Sequence, residues 1–361
     1  MTPRTLPQDE TYRLVYDPRT RAQGPMTATK LVIGASGFLG SHVTRRLVER
    51  GEDVRILIRS TSSTRGIDDV IDRVDVRHGD IFDAASVRDA ADGCDTVYYC
   101  VVDARAWLRD ATPLWRTNVD GLSGVLDVMT EPEIASGVRR FVFTSSIATI
   151  GLPESGPATE EIENNWLDRG GEYVRSRVRA EQLVLRYHKD RGLPAVAMCV
   201  SNTYGPGDWQ PTPHGGLVAA AVRGKMPFYI DGAEAEAVGV ADAAEALVLA
   251  GERGTPGERY IVSERMMSAR EIYEVACDAV GVEPPRRGVP IRVMAAAAGL
   301  SSAVARLRRR ETRLSPLTVR LMHVMSPMDH GKAVRELGWK PAPAPESIAQ
   351  AARFFASRRR T

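Results

Sequence analysis

The sequence has almost no surplus of charge of either sign. Its 48 basic and 46 acidic residues leave a formal net charge of +2 over 361 residues. No basic footprint for nucleic acid emerges from that balance. Cysteine is scarce as well: Cys94, Cys100, Cys199 and Cys277 form no CxxC pair. That pattern excludes a disulfide framework and reads as reduced, buried thiols of a cytoplasmic protein. No apolar run reaches the roughly 18 residues of a membrane span. The longest candidate, VMAAAAGL (293–300), is too short and follows Arg292. The six histidines lack metal-ligand spacing and no HExxH occurs, so no metal is expected. The stretch 1–27 is polar, proline-bearing and aperiodic, which predicts a disordered tail rather than a signal peptide. Met26 is a candidate natural start, because patterned sequence begins at TKLVIG (29–34).

Against these absences stands a hydrophobic content of 43%, enough for a large core. From residue 29 short β-branched runs alternate with helical spacing. The strands read as TKLVIG (29–34), DVRILIR (53–59), RVDVRHGD (73–80), DTVYYCVV (95–102), RRFVFTSS (139–146) and PAVAMCVS (194–201). Between them lie helices over 38–51, 84–92, 113–130 and the stretch holding YVRSRVRAE (173–181). Such alternation predicts an α/β fold with a doubly wound parallel sheet, and the nearly all-apolar strands suit a sheet covered on both faces. After residue 201 the rhythm breaks. NTYGPGDWQPTPHGG (202–216) reads as a loop and VADAAEALVLAGE (240–252) as a helix.

GASGFLG (34–40) closes the first strand and opens the first helix. In that context Gly34 permits a tight turn, Gly37 lets backbone approach a pyrophosphate, and Gly40 lets helix pack on strand. Ser36, Phe38 and Leu39 complete the loop, and phosphates would rest at the helix N-terminus. The expected organisation is a dinucleotide-binding domain over 28–200, with parts of 234–282 returning to it. A smaller, interleaved C-terminal substrate lobe is expected over 201–233 and 283–361. An NAD site commonly carries an acid at the end of the second strand. Here that strand runs into RSTSSTR (59–65). Arg59 with hydroxyls behind it suits a 2′-phosphate, so NADP(H) is favoured over NAD(H).

In YVRSRVRAE, Tyr173 and Arg177 are four residues apart and share a helix face. Arg175, Arg179 and Arg186 fall on the other side. TSSIATIG (144–151) ends the fifth strand, where parallel sheets bind ligands. A serine hydroxyl there, a phenol and a cation form a proton-transfer set. A nearby cation lowers a phenol's pKa from about 10 and readies it for acid–base work.

These stretches, together with HGDIFD (78–83), NVDG (118–121), TYGPGD (203–208) and KAVRELGW (332–339), resemble the extended short-chain dehydrogenase/reductase superfamily. Within it the likeness is to the dihydroflavonol-reductase/3β-hydroxysteroid-dehydrogenase-like and epimerase/dehydratase group. The resemblance implies a Rossmann fold. It implies that Ser146 hydrogen-bonds the substrate oxygen and that Tyr173 is the general acid/base. It also places Asp80 and Ile81 beside adenine, Val101 and Val102 where the fourth strand meets the cofactor, and Asn118 under the active-site backbone. The Tyr173 helix commonly joins a homodimer interface in this group. Two positions depart from the pattern. The family lysine, which holds the nicotinamide ribose and lowers the tyrosine pKa, is Arg177. A common Arg-Pro is Cys199-Val200, which alters the nicotinamide wall.

Large aromatic residues (Tyr98, Tyr99, Trp107, Trp115, Trp166, Trp209, Phe228, Tyr229) are candidates for a cleft accepting a bulky apolar small molecule, or for core. His214 is a candidate substrate-loop residue or a merely exposed one. RLRRRETR (306–313) reads as a solvated face or an amphipathic, membrane-touching segment. The expectation is an NADP(H)-dependent carbonyl reductase or alcohol dehydrogenase. The alternatives are a nucleotide-sugar epimerase with tightly held NAD, whose second diphosphate Arg223, Lys225, Arg265 and Arg270 would meet, and a non-catalytic dinucleotide-binding protein.

Overall fold

The computed structural model describes residues 29–308, 310–312 and 314–358. The expected tail 1–27 and the candidate start Met26 lie outside them. Seven strands build one parallel sheet: β1 (Thr29–Ile33), β2 (Val54–Ile58), β3 (Asp75–His78), β4 (Cys94–Tyr99), β5 (Arg140–Ser146), β6 (Ala195–Val200) and, further along the chain, β10 (Arg259–Val262). Their order is β10-β6-β5-β4-β1-β2-β3. The chain runs outward from β1 to β3, then returns to β4 on the other side of β1. The crevice between β1 and β4 is therefore the topological switch point, where such sheets bind ligands.

Side chains along each strand alternate between two cores. Val32, Ile56, Ile58, Val142 and Val196 pack with Val43 and Leu47 of α1 (Phe38–Glu49) and Leu247 of α8 (Val240–Arg253). Leu31, Ile33, Leu57, Phe141 and Phe143 face the other way. They meet Val87 of α2 (Ala84–Ala91), Leu126 of α4 (Leu122–Met129) and Val184 of α6 (Leu167–Arg191). Burial on both faces is why these strands are apolar throughout.

Three segments differ from the sequence expectation. The helix expected over 113–130 is composite: α3 (Thr112–Trp115) widens into a π-helical turn, Arg116–Gly121, before α4. Residues 202–216 are not one loop, because β7 (Asn202–Tyr204) pairs with β9 (Glu234–Gly239). In addition α7 (Pro213–Val222) starts within the stretch, with Thr212 as a cap whose Oγ accepts from the Gly215 amide at 3.1 Å. Thr-Pro at a helix start is a legible signal. Thirdly, α6 breaks at Gly171, whose φ of +66° suits a residue without Cβ.

β11 (Arg265–Ser268) completes the small sheet with β9 and β7. β8 (Tyr229–Asp231) pairs with β12 (Gly288–Pro290). Around them α7, α9 (Ala269–Asp278) and α12 (Ala344–Ser357) share one apolar cluster. α10 (Ile291–Leu307) and α11 (Pro316–Leu321) share another. A short connecting helix, α5 (Pro132–Ala135), precedes β5. All four cysteines are free, and Cys100 is only partly buried, unlike the other three.

Candidate active site

At the switch point the glycine loop meets its geometric requirements unequally. Gly34 has φ +91°, and a Cβ there would lie 3.0 Å from Val101 Cγ2 and 3.1 Å from the Cys100 carbonyl carbon. A Cβ on Gly40 would sit 2.2 Å from the Gly34 carbonyl oxygen, so strand and helix touch where no side chain fits. Gly37 has an ordinary φ of −80° and caps α1 without a side-chain hydrogen bond. The amides that open α1 are thus left for another acceptor, the arrangement that receives phosphate. Phe38 packs edge-on to His42 at 5.6 Å, and His42 Nε2 lies 3.0 Å from the Pro206 carbonyl, tying the 205–208 turn to α1. Ser36 and Leu39 lie partly exposed in the same loop.

Beyond β4 the chain passes Val101, beside Gly34, and Val102, which is exposed. Asn118, buried in the π-helical turn, clamps the next residue. Its Oδ1 accepts from the Asp103 amide at 2.8 Å, while its Nδ2 donates to the Asp103 carbonyl at 3.0 Å and to Ser176 Oγ at 3.1 Å. Ser176 Oγ donates in turn to the Tyr173 carbonyl at 2.8 Å. The exit of β4 is thus fastened to the helix carrying Tyr173.

Ser146 ends β5, and its Oγ accepts from the Ala148 amide at 3.2 Å. Tyr173 lies in the first turn after the Gly171 break and packs, partly exposed, against the cluster of Ala148, Trp166, Val174 and Val178. Arg177 follows one turn later and is 1% exposed. Its Nη2 donates to the Thr144 carbonyl, and the guanidinium lies over the Phe143 ring at 5.2 Å. Arg177 Nε and Nη1 are buried without a hydrogen-bond partner. Burial pulls this guanidinium below its ordinary value, opposed by the neighbouring Tyr173 and Glu181. An unpaired buried donor costs about 1–3 kcal/mol, so these nitrogens are suited to a ligand's or water's oxygen atoms. With the Gly34–Gly40 cradle, this fits a dinucleotide, whose ribose and phosphates are rich in acceptors.

Sequence reasoning passed over Glu181, the last letter of YVRSRVRAE. It is 5% exposed and lies one further turn along the face of Tyr173 and Arg177. Its Oε2 accepts from Ser145 Oγ, from Thr149 Oγ1 at 2.8 Å and from Cys199 Sγ at 3.3 Å. Its Oε1 lies 3.2 Å from Arg259 Nε, an ion-pair contact lacking hydrogen-bond geometry. Burial pushes the Cys199 thiol up to about 12. The i, i+4, i+8 spacing was the available signal.

Arg59 is exposed just past β2, and no described residue pairs with its side chain. Arg65 is engaged instead, stacked over Trp209 at 5.3 Å, with Arg358 over the same ring at 4.9 Å. Asp80 Oδ1 accepts from the Phe82 amide at 3.1 Å. Ile81 presses on the π-helical turn, where a Cβ on Gly121 would lie 2.5 Å from Ile81 Cδ1. Val200 is buried at the end of β6, in register with Ser146 of β5.

Three aromatic candidates are core: Tyr98, Tyr99 and Trp166 are each 1% exposed. Trp115 stays near the site, donating to Glu172 at 2.8 Å beside Tyr173. Neither reading of His214 holds fully. It is half-buried against Tyr204, its Nε2 is 2.8 Å from the Thr203 carbonyl, and burial pushes its pKa down to about 4. Arg265 and Arg270 are already paired, with Glu271 at 2.6 Å and Glu274 at 2.7 Å. Among the described residues no three His, Cys, Asp or Glu side chains group as a metal site, and no helix is long and apolar enough to cross a membrane.

A seven-stranded Rossmann sheet with a glycine loop at its switch point is the architecture of the extended short-chain dehydrogenase/reductase class. Residues 30–263 match the NAD dependent epimerase/dehydratase family, and the chain belongs to it. It is 29% identical to sterol demethylase protein B of Methylococcus capsulatus over 91% of this chain and 99% of that protein. It is 28% identical to a putative dihydroflavonol 4-reductase of Synechocystis over 90% and 93%. The crystal structure of gox2253 superposes with a TM-score of 0.80 at 31% identity, covering 93% of this chain and 99% of that one. The dTDP-glucose 4,6-dehydratase DesIV of Streptomyces venezuelae, with NAD and TYD bound, shares the fold at a TM-score of 0.71 and 22% identity, over 92% and 98%.

Proposed function

We propose that the protein is an NADP(H)-dependent reductase or dehydrogenase acting on a bulky apolar ketone or alcohol. The observation that carries this reading is the buried, incompletely bonded Arg177, which neighbours Tyr173 and donates to Thr144 of β5, two residues before Ser146. Gly34, Ser36, Gly37, Phe38, Leu39 and Gly40 hold the pyrophosphate. Asp80 and Ile81 flank adenine. Val101, Val102 and Val200 line the nicotinamide side, and Asn118 keeps the β4 exit in place. Exposed Arg59, free of acidic partners, takes the 2′-phosphate. The bound cofactor supplies or accepts hydride at the substrate carbon. Ser146 Oγ donates to the substrate oxygen. Tyr173 Oη gives that oxygen its proton in reduction and removes it in oxidation, so that carbonyl plus hydride plus proton balances to alcohol. Arg177 acts first as a fixed positive charge beside Tyr173, since its guanidinium is sealed against β5. It remains protonated and does not relay a proton.

Names among the relatives support the substrate class. They include dihydroflavonol 4-reductases and a 4-hydroxy-2-methyl-3-oxo-4-farnesyl-3,4-dihydroquinoline-1-oxide ketoreductase of Stigmatella aurantiaca, 26% identical over 85% of this chain. The pairing of Arg265 and Arg270 leaves fewer free cations for the second diphosphate of a nucleotide-sugar substrate.

The test is a fluorescence titration with NADPH and NADH, followed by turnover on polycyclic ketones. Tighter NADPH binding, ketone-dependent oxidation of NADPH, and loss of turnover with affinity kept in Tyr173→Phe are expected. NAD retained through purification with no net consumption would replace this reading by an epimerase. Unchanged turnover in Tyr173→Phe would overturn the mechanism.

A further inference from the structure

Seven large hydrophobic side chains are exposed among the described residues, and four of them lie on α10: Val293, Leu300, Val304 and Leu307, at 56%, 70%, 40% and 86%. At about 100° per residue these four fall within roughly 60° of one another, a single stripe along the helix. The opposite side is already used. Met294 and Ala298 pack with Val319 of α11, and Ile291 joins the same cluster. Among the described residues the stripe therefore has no partner, and its 17-residue helix is long enough to lie along a surface.

The charge along the helix and its immediate flanks, residues 284–310, has one sign, with the exposed Asp231 and Glu311 lying just beyond its two ends. Between Glu283 and Glu311 the sequence holds Arg286, Arg287, Arg292, Arg306, Arg308, Arg309 and Arg310 and no acidic residue. Arg286 pairs with Glu283 at 2.8 Å. Arg292, Arg308 and Arg310 are exposed at the two ends of the stripe. A second copy of the chain is a poor occupant. Any two-fold pairing along α10 brings arginine-bearing ends together with no carboxylate on the helix to offset them. An anionic lipid surface satisfies both features, taking the apolar stripe at its acyl boundary and the arginines at its phosphates.

We propose that α10 docks the protein on anionic bilayers, with Val293, Leu300, Val304 and Leu307 inserted and Arg292, Arg308 and Arg310 at the headgroups. The docked helix is one step from the site, because α11 packs on both α10 and α6 and its Leu317 rests against Gly171, two residues before Tyr173. An enzyme so placed would meet a lipid-dissolved substrate where that substrate resides. The docking itself does not depend on the catalytic assignment.

Vesicle flotation of the full chain tests it. With phosphatidylglycerol–phosphatidylcholine vesicles the protein should float at low salt, and with phosphatidylcholine alone it should not. Arg308→Gln/Arg310→Gln should weaken binding by roughly fivefold per arginine. Leu300→Gln/Leu307→Gln should weaken it by more than about tenfold, while melting temperature and NADPH affinity stay at wild-type values. No flotation with either lipid would overturn the proposal. So would full flotation of the leucine variant, or a dimer in light scattering that this variant dissociates.

Discussion

Glu181→Gln is the perturbation that most directly probes how the site is held. Glu181 is the carboxylate beside two guanidinium groups, the buried Arg177 and the partly buried Arg259, and it also accepts from Ser145, Thr149 and Cys199. Glutamine preserves volume and one acceptor oxygen but removes the negative charge. Breaking a buried ion pair from one side costs about 3–5 kcal/mol, because the cation left behind remains desolvated. The stability of a domain is about 5–15 kcal/mol, so this is a large share. Urea unfolding followed by circular dichroism is the assay. With a slope near 3 kcal/mol/M, the midpoint should fall by roughly 1–1.7 M with the slope unchanged. The double variant Glu181→Gln/Arg259→Met should lose less than the sum of its single variants, with a coupling of about 1–3 kcal/mol. A loss below about 1 kcal/mol, or strict additivity with Arg259→Met, would refute the idea that one carboxylate balances these arginines.

Three other outcomes are expected. Gly40→Ala places a methyl 2.2 Å from the Gly34 carbonyl oxygen, an overlap with backbone that only a shift of α1 relieves. It should cost about 1–3 kcal/mol in thermal unfolding and weaken cofactor binding at least tenfold, whereas Gly37→Ala, whose nearest contact is 3.3 Å, should be milder. His42 and His214 both have pKa values lowered to about 4 by burial. The unfolded chain then binds more protons between pH 4 and 6.5, so stability should fall as pH drops through that window, by at most about 3 kcal/mol per histidine. Unfolding midpoints at pH 7 and pH 5 would show it, and His214→Asn should flatten the profile. Arg59→Asp should weaken NADPH binding by roughly 10–100-fold with less effect on NADH, and equal effects on both would remove Arg59 from the 2′-phosphate.

Much of the fold was legible in the sequence because local and global signals agree. The strand runs are apolar throughout since both faces of the sheet are covered, and GASGFLG stands between a β-branched run and a helix. The same burial hid other facts. Tyr98 and Tyr99 are adjacent and point to opposite faces of β4, so their spacing gave no sign that both are core. The π-helical turn at Arg116–Gly121 adds backbone width without changing residue types, and only the structure shows it setting Asn118 against Asp103 and Ser176. β7 was missed because Asn202–Tyr204 is three residues long and exists through pairing with a strand thirty residues away. Glu181 was overlooked because a carboxylate among arginines in YVRSRVRAE reads as surface charge. Its burial follows from how α6 lies against β5 and β6.

The last strand of the large sheet has a consequence for how the molecules keep apart. β3 is only Asp75–His78, and among the described residues no strand pairs with its outer edge. It is fenced by charge: Asp75 holds Arg55 at 2.8 Å and Arg77 at 3.2 Å, and Arg77 reaches Asp89 at 3.1 Å. An incoming strand would have to strip water from this cluster to gain a few backbone hydrogen bonds, a poor exchange. The sheet thus ends in a charged selvedge that resists being stitched to another copy, and chains crowded at high concentration should remain separate along that border.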